Sequence, residues 1–265
     1  MEEELILGML IAVGHIKPIY SEDSELRKLL LKAYAWKEVE LLTALFWASK
    51  LPVFKLALIR KPLYYLFFHF LGSRGVVCQA ATLEETHAFI DSLPDEHEMA
   101  VGPCRCRMGN RNCHHSLLTD IVIKDTSKIW SRELFPEDYR VIDKEEAKEI
   151  CSRSRQEGMF QTIDRHMYFN ESENYFVICN CCKESCVPVI AYRLFKDEPY
   201  SFLPSTYVSR VNEEICEKCG WCVEKCPFEE RVIKSKSEAA VVLNCQGCGL
   251  CADVCPNGAV EMVLR

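Results

Sequence analysis

The sequence predicts an α+β protein in three parts: a helical N-terminal region, a middle α/β cysteine-bearing domain, and a small C-terminal module built on a repeated cysteine motif. Three observations lead there. Residues before Cys78 contain no cysteine and show a helical apolar period. Short β-branched runs alternate with capped helices through the middle of the chain. The last eight cysteines crowd between Cys216 and Cys255 in two copies of one spacing. These observations divide the chain at 1–76, 77–205 and 206–265.

Composition narrows the class. The chain has 265 residues, with 32 basic and 39 acidic side chains, so its formal net charge is −7. An acidic chain of ordinary hydrophobicity is a folded globular protein, and nothing in it would neutralise many phosphates, so nucleic acid is not an expected partner. The 17 cysteines leave at least one unpaired by parity alone. The start, Met1-Glu2-Glu3-Glu4, is acidic where a signal peptide needs positive charge. A reducing, cytoplasmic setting is therefore expected, in which clustered thiols serve as metal ligands more readily than as disulfides.

In chain order, residues 23–50 read as a helix, because Leu26, Leu29, Leu30, Ala33, Val39, Leu42, Leu45 and Phe46 recur at about the helical period. Pro52 ends it or starts the next element. Residues 53–71 are apolar and aromatic, but the longest stretch without a charged residue, Pro62 to Ser73, is 12 residues, short of the roughly 20 that a bilayer span needs. This segment reads as a helix buried against the core or a partner subunit, or as one lying on a membrane surface. Thr82 with Glu85 three residues later is a capping box opening a helix over 82–92. Residues 120–123 and 175–178 read as strands. Asp143 caps a helix that ends near Gly158, and that cap is role enough for Asp143.

Cys216-Glu-Lys-Cys219-Gly-Trp-Cys222-Val-Glu-Lys-Cys226-Pro227 has the spacing C-x2-C-x2-C-x3-C-P, and Cys245-Gln-Gly-Cys248-Gly-Leu-Cys251-Ala-Asp-Val-Cys255-Pro256 repeats it. Three close cysteines can wrap one cubane while backbone amides point at its sulfurs, and Gly220 and Gly249 allow the turns this needs. A tetrahedral zinc accounts for two C-x2-C pairs but not for the third cysteine and the trailing x3-C-P, twice over. Residues 210–265 thus resemble the bacterial-type ferredoxin that carries two [4Fe–4S] clusters. The resemblance implies that the fourth cysteine of each motif reaches the other cluster. One cluster would take Cys216, Cys219, Cys222 and Cys255, and the other Cys245, Cys248, Cys251 and Cys226.

The middle domain holds seven further thiols in two patches. Gly102-Pro103-Cys104-Arg105-Cys106-Arg107 leads to Cys113-His114-His115, and Ile178-Cys179-Asn180-Cys181-Cys182 leads to Cys186. With the helix start Lys144-Glu-Glu-Ala-Lys-Glu-Ile150, these segments resemble a domain of prokaryotic ferredoxin-domain proteins over residues 80–195. The chain departs from that pattern after Cys182, where Lys183-Glu-Ser stands in place of an early further cysteine. Seven thiols exceed the needs of one zinc. An additional iron–sulfur cluster, a zinc site, and reactive or structural thiols are the readings they allow. A single cluster would draw on Cys104 or Cys106, Cys113, Cys179 and one or two of Cys181, Cys182 and Cys186, with Cys181 and Cys182 pointing different ways from an extended backbone. Arg105, Arg107 and His114 are expected beside the ligands, the arginines as donors to sulfur, as anion binders or as a solvated basic turn, and either His114 or His115 as a surface residue before a ligand. Cys78 and Cys151 read as ordinary buried residues, and Asn180 as a turn residue.

No Gly-x-Gly-x-x-Gly fingerprint, no Gly-x4-Gly-Lys-Ser/Thr loop and no Cys-x-x-Cys-His attachment is present. The expected function is therefore iron–sulfur electron transfer within or beside an anaerobic oxidoreductase complex, between redox partner proteins. Segment 53–71 is the expected docking surface, which includes peripheral membrane contact. Two other functions fit the same residues: an enzyme or metallocofactor maturation factor whose middle cluster does chemistry, and a redox sensor.

Overall fold

The computed structural model describes residues 25–56, 59, 62, 76–110, 112–166, 175–195, 202–233 and 239–265. The apolar stretch 53–71 lies mostly outside them. Helix α1 runs from Glu25 to Lys50, and a 3-10 turn at Pro52–Lys55 follows it. Among the described residues no helix is long and apolar enough to cross a membrane.

A six-stranded sheet forms the centre of the molecule. Its strands are β1 (Val76–Ala81), β2 (Met99–Pro103), β3 (Leu118–Ile123), β4 (Arg140–Ile142), β5 (Phe160–His166) and β6 (Tyr175–Cys181). They lie in the order β1-β5-β6-β3-β2-β4 and every pairing is antiparallel. Helix α2 (Leu83–Ser92) follows β1. Its N-terminus carries the capping box read from the sequence: Glu85 N donates to Thr82 Oγ1 at 3.1 Å and Thr82 N donates to Glu85 Oε2 at 2.7 Å. Short helix α3 (Arg105–Asn110) follows β2, and α4 (Asp125–Lys128) follows β3 and widens into a π-helical turn at Ile129–Leu134. Helix α5 (Lys144–Gln156) is capped by Asp143, whose Oδ1 accepts Glu146 N at 2.8 Å, and it is left through Gly158 at φ 87°.

Side chains alternate across a strand, so each face of the sheet has its own partners. Ile121, Ile123 and Ile178 face α2 and α5 and pack with Ile90, Ile150 and Cys151. Ala100, Val122 and Val177 point the other way, against Ile129, Trp130 and Tyr139, with Cys179 at the margin. Each fully buried Ile contributes about 1.5–3 kcal/mol of transfer free energy to the anchoring of the first face.

Helix α6 (Val187–Phe195) follows β6, and α1 lies across both α3 and α6. Phe46 is buried against Val187 and Ile190, with Cys106 at the edge of that group. The approach of α1 to α3 is close enough that a Cβ on Gly109 would stand 2.3 Å from Thr43 Oγ1 and 3.1 Å from Val39 O.

The C-terminal module is two small antiparallel ladders. One pairs β7 (Tyr207–Val211) with β10 (Val260–Leu264), and the other pairs β8 (Arg231–Val232) with β9 (Val241–Val242). Single-turn helices α7 (Trp221–Glu224) and α8 (Leu250–Asp253) open from Gly220 and Gly249 at φ 83° and 79°. The module is tied firmly to the sheet domain. Glu85 does double duty: besides its cap it accepts from Ser205 Oγ at 2.7 Å and from Thr206 N and Oγ1 at 3.2 and 2.5 Å. Leu203 exchanges backbone bonds with β1, to Ala80 N and Cys78 O, at 2.9 Å each. Arg155 at the end of α5 pairs with Asp253 and donates to Cys248 O at 2.8 Å.

Candidate metal centres

In the C-terminal module, Cys226, Cys245, Cys248 and Cys251 line one cavity, together with Phe228 and Arg231. Backbone amides turn toward the sulfurs: Gly247 N and Ser209 N donate to Cys245 Sγ at 3.3 and 3.5 Å. Gly249 has φ 79°, which is costly for any other residue, so the turn needs glycine here, and a Cβ would also displace Arg155 Nη2, 2.7 Å away. Cys216 and Cys219 lie near Cys222, and both act electrostatically on it. Asn257, two residues past Cys255, donates to Ile215 O, so the second motif's last cysteine is carried back to the first motif's start. Donor number, thiolate chemistry and inward amides all fit iron–sulfur clusters in these two positions.

Arg231 sits between the two sets. It is buried, and its Nη2 donates to Cys251 Sγ at 3.5 Å. Burial raises the Cys222 and Cys251 thiols, and the charge of Arg231 lowers both. Sequence reasoning missed this arginine because it lies outside both motifs.

The middle thiols separate into two groups. Five of them, Cys104, Cys106, Cys179, Cys181 and Cys186, lie in contact. Cys186 Sγ donates to Cys181 Sγ at 3.3 Å, and Val187 N, at the start of α6, points at Cys106 Sγ from 3.5 Å. Hydrogen bonds from Cys104 and Cys186 hold Cys106 well below the usual thiol range, and those from Cys179 and Cys186 do the same for Cys181. Donating in turn raises Cys104, Cys179 and Cys186. Five thiols in mutual contact, with a backbone amide pointed at one of them, offer soft sulfur donors to a metal.

Strand register brings further groups to this patch. Cys78 is paired with Asp164 across β1 and β5, and its Sγ donates to Asp164 Oδ2 at 3.4 Å. Cys78 is alone in the chain but not in the fold, since Cys181 and Cys106 raise its thiol further after burial and Asp164. Asp120 accepts from Cys179, yet burial pushes its carboxyl up to about 7. Cys151 lies on the opposite face, and burial raises it to about 12.

The arginines are not a solvated basic turn, for both are buried. Arg107 faces the thiols: it donates to Asn180 O at 2.9 Å, to Met159 Sδ at 3.1 Å and to Thr119. Burial works against its charge, but Cys104, Cys182 and Asp120 outweigh it and raise its pKa. Arg105 turns away, stacking 4.0 Å over Phe135 and pairing with Glu38 at 3.8 Å. Asn180 is a strand residue and not a turn residue. Its side chain is fully buried, donating to Thr119 O at 2.8 Å and accepting from Gln161 Nε2 at 3.0 Å.

Cys113 and Cys182 do not join the five. Their sulfurs stand 3.5 Å apart, and a ring nitrogen of His115 completes a group within 4.8 Å. His114, expected beside the ligands, is exposed, and its neighbour His115 takes the inward position. In an irregular loop no periodicity tells which of two adjacent histidines turns in.

Residues 209–256 match the family model of the 4Fe-4S dicluster domain. The C-terminal module is a ferredoxin-like dicluster domain. The chain is thus an iron–sulfur protein of the electron-transferring kind. No curated protein and no solved structure matches it.

Proposed function

We propose that the chain relays electrons between its two C-terminal [4Fe–4S] clusters and an additional iron–sulfur cluster in the middle domain, held by ligands drawn from Cys104, Cys106, Cys179, Cys181 and Cys186. The single observation that carries this reading is the convergence of those five thiols at the start of α6, where Cys186 Sγ lies 3.3 Å from Cys181 Sγ and Val187 N points at Cys106 Sγ. A second feature supports it. Cys181 and Cys186 share one packed cluster with Phe160, Tyr192, Phe228 and Cys248, so aromatic side chains fill the space between the middle thiols and the Cys245–Cys251 cavity. Phe228 stands 5.4 Å from Phe160 and 5.2 Å from Tyr192, ring centroid to centroid.

The same enclosure favours a relay over substrate chemistry, since α1 and α6 cover the Cys106 side. A relay needs a donor and an acceptor, which makes the chain a subunit or dedicated partner of a larger, anaerobic oxidoreductase complex. The resemblance of residues 80–195 to a domain of prokaryotic ferredoxin-domain proteins belongs to this reading. The test is EPR of the anaerobically purified, reduced protein. The expected result is a third cluster signal that Cys181→Ser removes while the C-terminal pair remains reducible. A spectrum from two clusters alone, unchanged by Cys181→Ser, would reject the reading.

A further inference from the structure

We infer that Cys113, His115 and Cys182 form a separate mononuclear site for zinc, with a fourth coordination position left to water or another small ligand. The three donors lie within 4.8 Å of one another, and among the described residues no fourth His, Cys, Asp or Glu completes the set. Two thiolates on a tetrahedral zinc, at Zn–S of about 2.3 Å, stand about 3.8 Å apart by geometry. The observed Sγ–Sγ separation of 3.5 Å is close to that, and far from the roughly 2.05 Å of a disulfide.

An independent observation points to a ligand. His115 Nδ1 is buried and has no hydrogen-bond partner. A buried, unsatisfied imidazole nitrogen is costly, and a metal bound through it would remove that cost. Two thiolates and an imidazole select zinc over magnesium or calcium, which prefer oxygen donors.

The backbone is fixed as a metal site requires. Asn110 Nδ2 donates to Ser185 O at 2.6 Å and Asn112 Nδ2 to Glu184 O at 3.4 Å, which holds the ligand loop against the turn after Cys182. On the other side, Ser116 N and Oγ both donate to Glu157, at 2.9 and 2.6 Å. The loop is therefore tethered on both sides of its two ligands. The three donors form their own group beside the five neighbouring thiols.

The test uses the full chain, purified anaerobically with its iron–sulfur centres, equilibrated with zinc and desalted. Zinc and iron are counted by elemental analysis, and zinc K-edge X-ray absorption reads the coordination. The expected result is about one zinc per chain, with two sulfur neighbours at about 2.3 Å and nitrogen or oxygen at about 2.0–2.1 Å. Cys113→Ser and His115→Ala should each lower retained zinc at least tenfold with iron unchanged, while His114→Ala retains it. The unchanged iron also shows that the variants fold. Less than a tenth of a zinc per chain in the wild type would overturn the inference. So would a coordination shell of four sulfurs, or loss of iron together with zinc in both Cys113→Ser and His115→Ala.

Discussion

At the scale of single residues, Arg107 and Arg231 are buried guanidinium groups that act on the thiols around them. Arg231 is the clearest case, because one guanidinium acts on Cys222 and Cys251, from different motifs. A buried cation favours the more negative, reduced state of a cluster beside it. Arg231→Met should therefore move both C-terminal potentials negative, by roughly 60 mV, the size of a tenfold change in a one-electron equilibrium. Protein-film voltammetry reads this directly, and an unchanged pair of potentials would remove Arg231 from the account. Cys151 allows a different test. Burial holds its thiol protonated up to about pH 12 in the folded protein, whereas an unfolded thiol ionises near pH 8.5. The folded state keeps its proton longer, so this group's contribution to stability is complete below that pH and declines above it. Cys151→Ala should flatten the loss of stability between about pH 8 and 10, measured by urea unfolding.

Much at this scale was legible in advance. The caps at Thr82, Glu85 and Asp143 depend only on local spacing and were readable from it. Cys78, Asp164 and Asp120 were not, because register between distant strands, 86 residues apart for Cys78 and Asp164, is what places them with the middle thiols. Asn180 read as a turn because asparagine favours turns, yet its two buried amide bonds override that preference.

At the scale of elements, the seam between α1 and α3 decides how well the middle thiols are covered. The helix itself follows from its apolar period, but the period does not say which helices it crosses. Gly109 supplies that answer, since only glycine permits the approach to Thr43 and Val39. Gly109→Val should force the helices apart at a cost of about 1–3 kcal/mol. Cys106 would become more accessible, measured as faster alkylation of the metal-free, reduced protein. A labelling rate equal to wild type would show that α1 is not the cover. The linker at Ser205 and Thr206 rests on one carboxylate, and four donors to Glu85 leave little redundancy. Glu85→Ala should destabilise the protein by about 3 kcal/mol, seen as a lowered thermal midpoint, because buried donors lose a charged acceptor.

At the scale of the whole molecule, the two regions dense in cysteine form one continuous interior. The repeated motif made the C-terminal module plain from the chain, since eight thiols at fixed spacing have few uses. The middle seven could be counted but not divided, because the division depends on which way side chains leave β6 and the 110–117 loop. The fold gives that division as five and two, with His115 joining the two. The docking expected of residues 53–71 lies outside the described residues and remains a proposal. The central claim, a third cluster on the five thiols, is tested most directly by counting iron and acid-labile sulfide in anaerobically purified wild type and in the Cys106→Ser/Cys181→Ser double variant. The account predicts about twelve irons per chain in the wild type and about eight in the variant, the complement of two [4Fe–4S] clusters. About eight in both would contradict it.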